Sequence, residues 1–177
     1  PAIQPAKLRL QASRLGELFD QPVRFVRALH GLLGLYSDRT HRSGQSGKPP
    51  PLLAAYNVPR PVLSYILKEL QPKAASNSML TLSLCQALWD EPYFECRLLA
   101  ANLLGQAPAE PVSPILTQVA SWPESAPEER ILSVVLNEGF KRLRQEHPES
   151  ILALAKEWLA DQRTLSQQNA LRLLRPF

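Results

Sequence analysis

Apolar residues recur at three- and four-residue spacing along most of the chain, the period that gathers them on one face of an α-helix, and the β-branched alternation of strands is absent. Leu8, Leu15 and Leu18 predict one helix, and Val23, Phe25, Val26, Leu29, Leu32 and Leu33 predict a second. The pattern stops after Tyr36. Ser37 to Pro51 contains no large apolar residue, carries Gly44 and Gly47, and ends in three prolines, the composition of an exposed loop. Helical periodicity then resumes after Asn57.

Asn57 before Pro59, Asp90 before Pro92 and Ser125 before Pro127 each read as a capping side chain followed by a proline whose missing N–H costs nothing in a first helical turn. Ser125 with Glu128, and Thr164 with Gln167, have the spacing of a capping box. These starts and the intervening stripes predict helices near 59–71, 77–89, 92–105, 111–121, 127–146, 148–160 and 165–175.

The prolines also carry a period. Pro22, Pro59, Pro92 and Pro127 lie 37, 33 and 35 residues apart. A two-helix unit of that length cannot bury both helix faces alone, whereas stacked units share a core, which is the logic of an α-solenoid. The Trp, Gly, Tyr and Ala positions of the tetratricopeptide repeat are not visible, so the expectation is an all-α, HEAT-like solenoid of stacked antiparallel helical hairpins; a non-repetitive helical bundle is the alternative. Its organisation is expected to be an N-terminal helical pair over 1–36, an exposed linker or loop over 37–57 and repeats over 58–177, continuous with the first pair.

Composition narrows the function classes. With 177 residues, 45% of them hydrophobic, the chain is large enough for a substantial core. Cys85 and Cys96 form no CxxC pair and read as small core residues, and His30, His41 and His147 are scattered. Neither a metal nor another cofactor is expected. No apolar run approaches the roughly 18 residues of a membrane span, so the expected setting is the cytoplasm, without a membrane partner. The start at Pro1 and the stop at Phe177 suggest a natural chain that continues further.

The net charge of +4 is unevenly spread: residues 1–72 carry 10 Lys and Arg against 4 Asp and Glu, and the rest 10 against 12. A basic front can mark a surface that meets phosphates, or simply a solvated helix face. No GxSxG, glycine-rich phosphate loop or HExxH is present. Trp89, Trp122 and Trp158 stand at or near helix ends and read as core aromatics. Glu128 and Glu129 read as first-turn carboxylates that favour the positive end of a helix dipole, and His147 reads as a helix junction before Pro148.

The segment LWDEPYFECRLLAANLL, Leu88 to Leu104, resembles the second-repeat signature of the AlkD-like DNA alkylation repair family. His147-Pro148-Glu149 with Trp158-Leu159-Ala160 resembles a downstream segment of that family, and Val58-Pro59 its early helix start. The resemblance covers roughly Ala54 to Phe177.

It implies a concave, basic surface that grips duplex DNA by its backbone and releases alkylated purines without drawing the base into a pocket. Active members carry a Trp-x-x-x-Asp step whose carboxylate stabilises the positive charge developing on the deoxyribose. Here the fourth residue after Trp122 is Ala126, and counting back from His147 puts Glu129 and Ser133 where the aromatic and the carboxylate belong. The family's phosphate-gripping arginine, ten residues after the tryptophan represented by Trp158, is Gln168. An amide cannot make the charge-assisted fork of a guanidinium.

The leading expectation is therefore a non-catalytic module that binds the duplex DNA backbone through Arg9, Arg14, Arg24, Arg27, Arg39, Arg42 and Lys48. One alternative is a scaffold for a protein partner on the concave surface. The other is an alkylpurine DNA glycosylase whose carboxylate has moved to Glu124 or Glu128.

Overall fold

The computed structural model describes residues 4–38 and 52–176. Its helices are α1 Pro5–Gly16, α2 Pro22–Tyr36, α3 Arg60–Ala74, α4 Ser78–Trp89, α5 Phe94–Leu104, α6 Val112–Ser121, α7 Glu129–Val134, α8 Lys141–Glu146, α9 Pro148–Ala160 and α10 Thr164–Leu174. A 3₁₀ turn, Trp122–Ser125, follows α6, and a π turn, Val135–Gly139, joins α7 to α8. Among the described residues the protein is all-helical, and its β-type pairing is the isolated parallel bridge between Ala54 and Tyr93.

Proline opens α1, α2, α3 and α9, where its fixed φ suits the first turn. The apolar stripes then choose the buried face: Leu8, Ala12 and Leu15 on α1, and Val62, Ile66, Leu70 and Ala74 on α3, at helical spacing. α5 differs. It buries residues nearly all round, including Cys96, Leu99, Ala100, Ala101, Leu103 and Leu104, and this makes it the central helix, packed against α3, α4, α7 and the π turn.

Two rows of helices result. α1 packs on α3, α3 on α5, and α5 on α7 and the π turn; α2 packs on α4 and α4 on α6. In the first row the helix ends lie level. The Cα of Gly16, at the end of α1, faces the aliphatic part of Lys73, Gln71 Nε2 donates to Gln106 Oε1 at 3.2 Å, and Gly105 lies so close to the Glu138 carbonyl that a Cβ there would overlap it. No helix of the described residues is long and apolar enough to cross a membrane.

Several local expectations need correction. The helix expected over 127–146 is broken by the π turn and by Phe140 (φ −90°, ψ 1°). Neither capping box forms. The Ser125 hydroxyl donates to the Trp122 carbonyl, and Glu128 accepts from the Leu53 N–H. At α10 it is Asp161 that accepts from the Arg163 N–H and the Ser166 hydroxyl. Asn57 and Asp90 likewise do not cap: Pro59 and Tyr93 occupy the cap positions of α3 and α5. The working cap is Asn77, whose side chain accepts from the Leu80 N–H at 3.0 Å.

Residues 52–57 were expected in the exposed linker, yet Leu53 is 6% exposed, packed into the core. The backbone N–H groups there donate to the Glu95 and Glu128 carboxylates, which allows the segment to be buried. Residues 39–51, the rest of the expected linker, lie outside the described residues. Finally, α5 makes its largest contact with α4, across the short Asp90–Tyr93 connection, rather than with α6. The longer link to α6 buries Ala107 and Ala109 instead.

Candidate nucleic-acid interface

The C-terminal cleft is shaped by the π turn. Such a turn leaves carbonyls without their usual partners, and Arg144 takes them up: Nη2 donates to Leu136 O at 2.7 Å and Nη1 to Asn137 O at 3.3 Å. Nη2 also reaches Leu173 O, at 3.4 Å, tying the turn to the end of α10. Burial lowers the pKa of Arg144, with Glu138 opposing that shift.

Between these elements lies a cleft of about 160 Å³ lined by Glu129, Ser133, Leu136, Asn137, Arg172 and Arg175. Arg172 Nη1 donates to both Glu129 carboxylate oxygens, at 2.7 and 2.9 Å. Ser133 Oγ accepts from Asn137 Nδ2 at 3.2 Å. The two positions that the resemblance marks as changed are thus both near this cleft: Ser133 lines it, and Gln168 is exposed one helical turn before Arg172, on the same face of α10.

The other carboxylates are engaged elsewhere. Glu124 pairs with Arg163 at 2.7 Å, and Glu128 accepts from the Leu53 N–H at 3.2 Å. Trp122 is 1% exposed and stacks on Trp89 with ring centroids 4.4 Å apart and planes 7° apart. The Arg97 guanidinium stands 5.1 Å from the Trp89 ring centre, and Trp89 Nε1 donates to Ser125 Oγ. Trp122 therefore acts as core, with no face open to a base. Trp158, half-buried, meets Phe140 edge-on.

Among the described residues, the basic front does not converge on one face. Arg9 lies in a groove between α1 and α3, beside Tyr65, Lys68 and Glu69. Arg14 borders α2 next to Leu32 and Leu35. Arg24 and Arg27 are exposed on α2, in the other row of helices, and Arg24 Nη1 donates to Gln21 Oε1 at 2.6 Å. Arg39, Arg42, Lys48 and His41 lie outside the described residues. Charge counting alone missed Lys68, Arg172 and Arg175, since it weighs segments rather than helix faces. For Arg172 a signal was available, its four-residue spacing from Gln168.

A second polar cluster joins α2 to α5. His30 Nδ1 lies 2.8 Å from the Tyr56 hydroxyl and Nε2 lies 2.9 Å from Glu91 Oε2, while Tyr56 stacks on Tyr93 at 4.8 Å. Burial, then Tyr93, pushes the Tyr56 phenol up to about 12. The phenol therefore stays protonated, and the His30 ring links it to the Glu91 carboxylate. Glu95, 2% exposed, accepts from the N–H groups of Tyr56 and of Asn57, whose φ is 54°. These groups brace the approach to α3. His147 braces α9 in a similar way, 3.2 Å from Glu110 and 3.4 Å from Glu149.

Neither thiol is poised for nucleophilic chemistry: burial raises the pKa of Cys85 far above the ordinary thiol range, and burial followed by Glu91 and Glu95 raises Cys96 to about 12. Among the described residues no group of three or more His, Cys, Asp or Glu side chains is placed to hold a metal ion.

The sequence profile of the family described as DNA alkylation repair enzyme matches residues 51–177. No curated protein and no solved structure matches the chain. The match takes in everything from the approach to α3 through α10, well over half of the sequence, and on that ground the chain belongs to the DNA alkylation repair enzyme family.

Proposed function

We propose that this protein is a HEAT-like solenoid that binds the backbone of duplex DNA without excising bases. The observation that carries the reading is the pairing of Glu129 with Arg172. Glycosidic bond cleavage needs a carboxylate aimed at the charge developing on the sugar, and that effect depends on placement. Ser133, which the resemblance aligns with the carboxylate position, lines this cleft, and both oxygens of the neighbouring Glu129 are bound to a guanidinium. What the cleft does offer is phosphate chemistry, from Arg175, the remaining N–H groups of Arg172 and the polar side chains of Ser133 and Asn137. The level row of α1, α3 and α5 supports the solenoid reading.

The test pairs a binding assay with a base-release assay. The protein is expected to bind a labelled duplex with an affinity that falls as salt rises, and Arg172→Gln with Arg175→Gln is expected to weaken binding and flatten the salt slope. Release of 7-methylguanine or 3-methyladenine is expected to stay at the spontaneous rate. Enzymatic release abolished by Glu129→Gln, Glu124→Gln or Glu128→Gln would establish a relocated carboxylate instead.

One observation favours the scaffold reading: an apolar hollow of about 250 Å³ between α1 and α2, lined by Leu15, Leu18, Ala28, Leu32 and the 61%-exposed Leu35. Absence of duplex binding even at low salt would promote it.

A further inference from the structure

The groove between α1 and α3 is built from both sides of the point where the family match begins, α1 before it and α3 within it. It holds two adjoining open clefts of about 630 and 310 Å³ that share Arg9, Tyr65 and Glu69; Ser13 and Leu10 wall the larger, and Lys68 the smaller. Tyr65 is 37% exposed. Among the described residues, its ring meets no aromatic or cationic partner, and its hydroxyl and the heads of Arg9, Lys68, Glu69 and Ser13 make no hydrogen bond or ion pair. The C-terminal cleft ties Arg172 to Glu129 and keeps only Arg175 as an unpaired cation among the described residues. In this groove both cations are unpaired.

From this arrangement we infer that the α1/α3 groove binds an unpaired nucleotide of a single-stranded nucleic acid, its base against Tyr65 and its phosphate between Arg9 and Lys68. A duplex offers phosphates but keeps its base faces covered by stacking, so a free aromatic ring beside two cations matches a strand whose bases are open. Arg9 and Lys68 stand on opposite walls, which lets one phosphate bridge the two helices. Tyr65 and Lys68 lie about one turn apart along α3, roughly 5 Å, so one nucleotide can engage both. Glu69, a helical turn beyond Tyr65, adds selectivity: its carboxylate accepts from an exocyclic amino group, which cytosine has and thymine lacks.

The site is independent of the duplex reading, and the experiment separates the two. Labelled oligo(dC) and oligo(dT) of about 12 nucleotides and a blunt duplex are titrated against the wild-type chain, Tyr65→Leu, Tyr65→Phe, Arg9→Gln/Lys68→Gln and Arg172→Gln. Oligo(dC) is expected to bind more tightly than oligo(dT), and Tyr65→Leu to weaken single-strand binding about tenfold while Tyr65→Phe retains it.

The double cation variant is expected to lower the single-strand salt slope by about 0.7, the value for the one phosphate the two cations share. Duplex affinity is expected to stay within about twofold for Tyr65→Leu, and to fall for Arg172→Gln. Tyr65 and Arg9 are exposed on different helices, so loss of fold in one variant leaves the other as the probe. The proposal is overturned if the wild-type chain ignores single strands at low salt, if Tyr65→Leu binds them as well as wild type, or if it loses duplex and single strand alike.

Discussion

The two clefts on the first row of helices differ in how they dispose of charge. At the C-terminal end, Glu129 occupies Arg172, Arg144 is drawn onto backbone carbonyls, and Arg163 is held by Asp161 and Glu124. At the N-terminal end, Arg9 and Lys68 have no such partners among the described residues. The difference is larger than the charge count implies. A cation already paired must give up its partner to bind a phosphate, so it contributes less to an interface than one that is free.

The strongest way to break the comparison is to remove the packing under one cleft only. Trp122→Ala deletes a fully buried ring from its stack on Trp89, at the start of the 3₁₀ turn that contacts the π turn. A loss of about 3–5 kcal/mol is expected in denaturant unfolding. Hydrogen exchange is expected to rise first in α7 and the π turn and last in α1 and α3. Uniform loosening would mean that the two ends are not separable.

A smaller effect sharpens the comparison directly. Glu129→Gln is expected to free Arg172, raising duplex affinity several-fold at low salt with little change in thermal stability, since exposed ion pairs contribute little. Unchanged affinity would mean that the pair does not restrain the arginine.

The smallest effect concerns pH. Hydrogen bonds from Arg163 and Ser166 hold the Asp161 carboxyl well below the usual carboxylate range. Its pKa is lower folded than unfolded, so the stability it contributes is present above the unfolded value, about 3.9, and is lost as pH falls through the folded one. Asp161→Asn is therefore expected to lower thermal melts slightly at pH 6 and by less near pH 2. An equal drop at both pH values would assign Asp161 a role unrelated to its charge.

Much of the fold was legible because it is local. The apolar stripes placed α3 to α6, α9 and α10 to within a few residues but merged α7 and α8 into one helix, and the Leu88–Leu104 and His147–Pro148 segments pointed to the family whose profile matches. The caps were less legible. Ser125, Thr164 and Asn57 have the right identity and spacing, but Glu95 accepts from the Asn57 N–H, Asp161 from the Arg163 N–H beside Thr164, and Glu128 is turned to the Leu53 N–H.

By itself, then, the sequence determined the helical class, the helix positions and the kinship, since each rests on periodicity or contiguous motifs. Only the tertiary structure decided which charges remain available. It set Arg24 and Arg27 in the other row from Arg9, brought Lys68 to Arg9 across 58 intervening positions, and closed Glu129 onto Arg172 from helices far apart in the chain. The physical reason is that a side chain's partner is fixed by helix packing, and sequence spacing carries no record of which helices meet.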